Sequence, residues 1–328
     1  MRRREFIAGL GGAAAWPMVA RSQQPERIRR VGVLTPLGTD EPEEQSSLPV
    51  LLQSLKQLGW VDGHNLRIDY RSTGGSLENS RKYAAELVAL APDVILAIGS
   101  VNMPALLQAT RTVPIVFLRV PDPVGGGFVD SLAHPGGNAT GFTSFEYGMS
   151  AKWLELLKEI APGLKRAGVL RDPTLAVGTG QFGAIQAMAP SLGIEVTPIN
   201  VREASEIERD VSAFARLGSG GLIVTAGYLS RTNRGPIIAQ AARHRLPAVY
   251  YNRYFVSAGG LCSYGIDYAD QYLRAAGYID RILKGEKPAD LPVQQASKFD
   301  LVINLKTAKA IGLEISPQLL ARADEVIE

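Results

Sequence analysis

The sequence predicts an α/β fold: two doubly wound, Rossmann-like lobes joined by crossover hinge strands. Three observations carry this. Short β-branched runs alternate with helical stretches about four times, break, and alternate again. Several of these runs, such as VILAI (94–98) and GLIVTA (221–226), are apolar throughout, as strands buried on both faces of a parallel sheet must be. The 328 residues suffice for two separate cores.

The first residues read as an export signal. MRRREFIAGLGGAAAWPMVARS opens with arginines and continues as a short, weakly apolar segment from Phe6 to Ala20. Arg3 and Arg4 followed by Glu5, Phe6 and Ile7 resemble a twin-arginine signal, and cleavage is expected after Ser22. Removing residues 1–22 takes away Arg2, Arg3, Arg4, Arg21 and Glu5. The 35 basic and 32 acidic side chains then become 31 and 31. The mature chain therefore has no basic excess and no nucleic-acid footprint.

Strands are expected at 31–35, 66–71, 93–99 and 115–120, then at 167–171, 195–201, 221–226, 248–251 and 261–266. Pro92, Pro114 and Pro247 each stand ahead of one of them, where a helix must already have stopped. In 150–160, Trp153, Leu156, Leu157 and Ile160 form one face of a helix. In 268–284, Tyr272, Ala276, Ile279 and Leu283 do the same, and Lys284-Gly285 closes that helix. The Gly- and Thr-rich stretch 134–147 has no helical pattern and reads as the first crossing between lobes. A second crossing is expected near 252–260. The resulting lobes are 29–140 plus 258–290, and 141–257 plus 291–328.

In open α/β sheets ligands sit beyond the carboxyl ends of the strands. That rule selects Thr35, Gly99, Ser100 and Asp122 in the first lobe. In the second it selects Asp172, Tyr228 and Asn252, with Tyr264 and Asp267 beside the second crossing. Ser100, Asp122 and Asp267 are equally suited to capping helices. Tyr228, Tyr251, Tyr264, Phe142 and Phe145 would supply aromatic walls.

Recognisable catalytic chemistry is missing from the sequence. His64, His134 and His244 have no metal-ligand spacing with one another or with Cys262. His64 and His244 read as solvated. Neither a G-x-S-x-G elbow nor a phosphate loop occurs. Cys262, the single cysteine, lies in an apolar run and reads as a small buried hydrophobe. No cofactor or metal is expected.

The stretch VPDPVGGGFVDSLAHPGGNATGFTSF (120–145) closely resembles the signature of ABC-transporter substrate-binding proteins of the tryptophan/tyrosine type. VGVLTPLG (31–38), SYGIDY (263–268), RILKGEKPADLPVQQ (281–295) and INLKTAKAIGLEISPQLLARADEVI (303–327) are similar as well. The resemblance implies a type I periplasmic-binding-protein fold, ligand capture between the lobes and docking on an inner-membrane ABC permease. It also implies aromatic amino acids as ligands, with contacts around Thr35, Gly99, Ser100, Asp122 and Thr143. The segment TAGYLSRTNRG (225–235) departs from the pattern of a tryptophan binder, with Tyr228 and Arg231 in its loop.

Three readings of function follow. The first is a periplasmic receptor, acting as a monomer, that takes an amino acid or related small carboxylate to a permease. The second is a ligand sensor feeding a membrane signalling protein. The third is a periplasmic enzyme, against which the missing nucleophile and metal sets argue.

Overall fold

A computed structural model of the chain describes residues 27–328 apart from 39–40 and 145–146, so the export signal and Phe145 lie outside the described residues. Among the described residues, twelve strands form two sheets. The smaller contains β1 (Arg29–Thr35), β2 (Leu66–Ser72), β3 (Val94–Ile98), β4 (Ile115–Val120) and β5 (Ala139–Thr143) in the order β2-β1-β3-β4-β5, all parallel. The larger contains β6 (Arg166–Arg171), β7 (Glu195–Asn200), β8 (Gly220–Val224), β9 (Ala248–Tyr250), β10 (Cys262–Ile266), β11 (Phe299–Asn304) and β12 (Glu325–Ile327). Its order is β12-β11-β10-β9-β8-β6-β7, and only β10 and β11 run antiparallel.

The apolar runs explain the layering. Every residue of β3 is buried, because helices cover both faces of the smaller sheet. On one face lie α1 (Pro42–Gln57) and α10 (Tyr268–Leu283), joined by Leu51, Leu55, Tyr272 and Ile279. On the other lie α2 (Leu77–Ala89) and α3 (Met103–Ala109), represented by Leu87 and Leu106. The larger sheet has its own continuous core, which includes Trp153, Leu157, Val249 and Phe255. Here α4 (Ala151–Ile160) buries the Trp153, Leu156, Leu157 and Ile160 face that its sequence predicts.

The two lobes are joined at three places, and the structure moves two of them from their expected positions. The stretch 252–260 is no crossing. It forms α9 (Arg253–Ser257) and leads into β10, because Phe255, Leu261 and Cys262 are apolar and join the larger core. The second crossing instead falls at Asp267, between β10 and α10. Likewise, residues 291–295 stay with the smaller lobe: Leu291 and Val293 are buried in its cores, and Gln294 accepts from Thr143 N–H and donates to Gly141. The third crossing follows Gln295. Strand β5, inside the stretch expected to be the first crossing, completes the smaller sheet before the chain leaves it. Crossings two and three are tied together by Asp267 N–H to the Lys298 carbonyl and by Lys298 Nζ to Asp267 Oδ2 at 2.6 Å.

Candidate ligand cleft

The carboxyl ends of β1, β3 and β4 face the cleft between the lobes, and the loops that follow them build its smaller-lobe wall. Helix α1 begins directly after the β1 loop. Pro42 starts it, and Glu43 and Glu44 occupy its first turn, where the helix dipole favours negative charge. Both carboxylates are buried. Glu44 accepts hydrogen bonds from three hydroxyls: Thr35 at 3.2 Å, Tyr70 at 3.3 Å and Tyr272 at 3.0 Å. Three donors thus satisfy one buried carboxylate.

The counter-charge comes from Arg119. Its backbone lies in the left-handed region, with φ of 58°. The cause is local: the β4–β5 register slips between Phe117 and Val120. This bulge lets the Arg119 side chain leave the sheet instead of joining the apolar run around it. Gly141, opposite, is required by the same irregularity, since a Cβ there would meet the Phe117 carbonyl oxygen at 2.1 Å. A non-glycine residue in this conformation costs on the order of 1 kcal/mol or more. The guanidinium donates from Nη1 to Glu43 Oε2 at 3.0 Å and lies 3.9 Å from the centre of the Tyr268 ring. Burial opposes its charge, but Tyr272, Glu43, Tyr268 and Glu44 outweigh that and hold Arg119 above its ordinary value. Burial pushes the Tyr268 phenol up to about 12, against the pull of Arg119.

The larger lobe brings Tyr251 and Asn252 from the end of β9. Tyr251 packs edge-on against Phe255, and burial raises its phenol, as does the Glu43 charge across the cleft. Asn252 caps α9 through Oδ1, which accepts from Tyr254 N–H at 2.8 Å. The lobes also touch directly. Tyr228, at the start of α7 (Tyr228–Thr232), donates to the Gly74 carbonyl at 2.8 Å, and Ser46 Oγ meets the Tyr254 hydroxyl at 2.5 Å. The Tyr228 ring lies so close over Gly75 that a Cβ there would meet it at 2.6 Å.

Toward the crossings the cleft holds a cavity of about 350 Å³ lined by Pro121, Asp122, Pro123, Val124, Leu132, Thr143, Tyr147 and Gln295. That volume lies at the small end of ligand pockets. Thr143 offers a buried hydroxyl with no hydrogen-bond partner. Burial raises the Tyr147 phenol, and the Asp122 charge adds to it.

The residues selected from the sequence thus separate into groups. Asp122 and Thr143 share the cavity, while Thr35 belongs to the Glu44 cluster. Tyr228 and Asn252 come from the opposite wall. Asp122 also holds its own loop, accepting from Gly125 N–H at 2.8 Å. Gly99, with φ of 78°, turns the chain after β3, and Ser100 begins a short helical turn without capping it. Asp172 is engaged by Thr174, whose N–H and hydroxyl both donate to it. Tyr264 stacks on Phe299 and accepts from Trp153 Nε1 through its carbonyl. Asp267 caps α10 and pairs with Lys298. Phe142, proposed as an aromatic wall, is fully buried against Tyr278 in the smaller core. His244 is not solvated but half-buried, 3.0 Å from Ser212 Oγ. Glu43, Glu44 and Arg119 were not selected. An arginine inside IVFLRV and an acidic pair just past a strand's carboxyl end were the visible signals.

Residues 31–327 match the family described as ABC transporter substrate binding protein. The chain belongs to this family. It is 26% identical over 276 residues to the tyrosine-binding protein of Clostridioides difficile (strain R20291), a match covering 84% of this chain and 79% of that one. A conserved domain protein from Vibrio cholerae has a solved structure that superposes with a TM-score of 0.84 at 30% identity, over 92% of this chain and all of the other. The ABC domain from Streptococcus pneumoniae in complex with L-Trp superposes with a TM-score of 0.81 at 26% identity, covering 91% and 99%. The fold is that of type I periplasmic binding proteins.

Proposed function

We propose that this substrate-binding protein is the exported receptor of an ABC importer. It captures an amino acid or related small carboxylate, aromatic in the first instance, between its lobes and delivers it to an inner-membrane permease. The observation that carries the reading is the cleft: strand ends of two sheets, a buried Glu43–Arg119 pair, and tyrosines from both lobes facing one another. Such a set of a few polar anchors among aromatic walls suits a small organic solute. The names of the relatives that bind tyrosine and L-Trp support the ligand class.

Three crossings between rigid lobes allow closure by a hinge, and a ligand that prefers the closed state drives it. The protein acts as a monomer, and the leader with Arg3 and Arg4 carries it out of the cytoplasm by the twin-arginine route. The test is a thermal-shift screen of mature protein against amino acids, small carboxylates and aromatic acids. A specific ligand at a hundredfold excess over its Kd stabilises by about 2.7 kcal/mol. A screen in which sugars or polyols shift the melting temperature and no amino acid or carboxylate does so overturns the ligand class. Exchange of Arg3 and Arg4 for lysine leaves the protein in the cytoplasm; its recovery outside refutes the export route.

A further inference from the structure

Thr143 Oγ1 and Asn252 Nδ2 each leave one unmatched polar atom at the cleft, whereas Arg119 leaves two. Glu44 is served by three hydroxyls and Glu43 by Arg119 Nη1. The Arg119 side chain is 8% exposed, yet its Nε and Nη2 have no partner. These two nitrogens lie along one edge of the planar guanidinium, with the spacing that grips both oxygens of a carboxylate. Buried donors are rarely left unmatched, so an occupant of this position must bring acceptors. The Tyr268 ring covers the guanidinium, and Glu43 fixes its remaining end, so the free edge is held in one orientation.

We infer that Arg119 is the ligand anchor, its Nε and Nη2 receiving the carboxylate of an α-amino acid. The inference rests on the receptor reading and names the group that recognises the ligand. Charge decides between a simple acid and an amino acid. Glu43 and Glu44 are balanced by Arg119 and by Arg231, whose charge also reaches Tyr251 and Tyr268, so a bare carboxylate would add an unmatched negative charge in a buried site. A ligand that carries its own ammonium adds none.

Calorimetry with three probes tests this: L-tyrosine, tyramine (no carboxylate) and 3-(4-hydroxyphenyl)propanoate (no ammonium). The variants are Arg119→Lys, which keeps the charge and loses the fork, and the double variant Glu43→Gln/Arg119→Gln, which removes both members of the pair and leaves Glu44 on its three hydroxyl donors. L-tyrosine is expected to bind the wild type most tightly and the propanoate more weakly. Tyramine, and L-tyrosine with either variant, should bind at least about 30-fold more weakly, while circular dichroism shows the fold retained. If both folded variants bind L-tyrosine within about threefold of wild type, or tyramine binds wild type as tightly as L-tyrosine, Arg119 is not the anchor and the receptor reading stands. If wild type binds no proteinogenic amino acid, the anchor inference falls; if it binds no small carboxylate either, the receptor reading falls with it.

Discussion

Arg119 and Tyr228 serve the cleft in different ways, and each is open to a single substitution. Arg119 is turned inward by a bulge in β4, whereas Tyr228 reaches from the larger lobe to the Gly74 carbonyl. Tyr228→Phe removes that one cross-lobe hydrogen bond, worth about 1 kcal/mol. Its stability should fall by no more than that amount, while ligand leaves several-fold faster in stopped-flow measurements; unchanged release would show that Tyr228 plays no part in closure. Cys262 is buried, and burial, with the Glu159 charge behind it, pushes its thiol up to about 12. Native protein at pH 8 should therefore resist Ellman's reagent and react only on unfolding. The apolar neighbours of Cys262 made its burial legible in the sequence. The inward turn of Arg119 was not legible, because a bulge depends on how β4 pairs with β5, and that pairing leaves no local trace beyond Gly141.

At the scale of elements, α10 was the most legible. Its stripe of Tyr272, Ala276, Ile279 and Leu283 lies buried as the periodicity predicts, and the helix packs on α1. Strands β5, β11 and β12 were missed. ATGFT carries a glycine and two threonines, and β12 has three residues, so each is a strand only by virtue of its neighbour. Two predictions belong here. Tyr272→Phe takes one of three donors from the buried Glu44 and should destabilise the protein by about 1–3 kcal/mol in urea unfolding. The second concerns the start of α10. Burial opposes ionisation of Asp267, but the Lys298 hydrogen bond and the Asp270 and Ala269 amides outweigh it and hold its carboxyl below the usual range. Its contribution to stability is therefore present above the unfolded value of about 3.9 and is lost as pH falls through the lower folded value. Lys298→Met should lower stability at neutral pH and flatten its fall on acidification below about 3.9. An acid-unfolding curve parallel to wild type would remove Asp267 from that account.

At the scale of the whole molecule, the sequence conveyed the two-lobed plan, because strand–helix alternation and apolar runs are local signals. The exact crossings were not conveyed, since residues 252–260 and 291–295 are assigned by which core they fill. Closure across these crossings should appear in small-angle scattering as a smaller radius of gyration on adding ligand, and a curve indifferent to a bound ligand would argue against a hinge. The route of the chain has one more consequence. Strand β10 is laid down before the excursion through α10, and β11 and β12 are added to it only on the return. The larger lobe is therefore left with an unprotected β10 flank from Ile266 until β11 (Phe299–Asn304) has been synthesised. A nascent chain would carry that sticky edge throughout the interval, and a chain cut just before Phe299 would leave the flank bare for good.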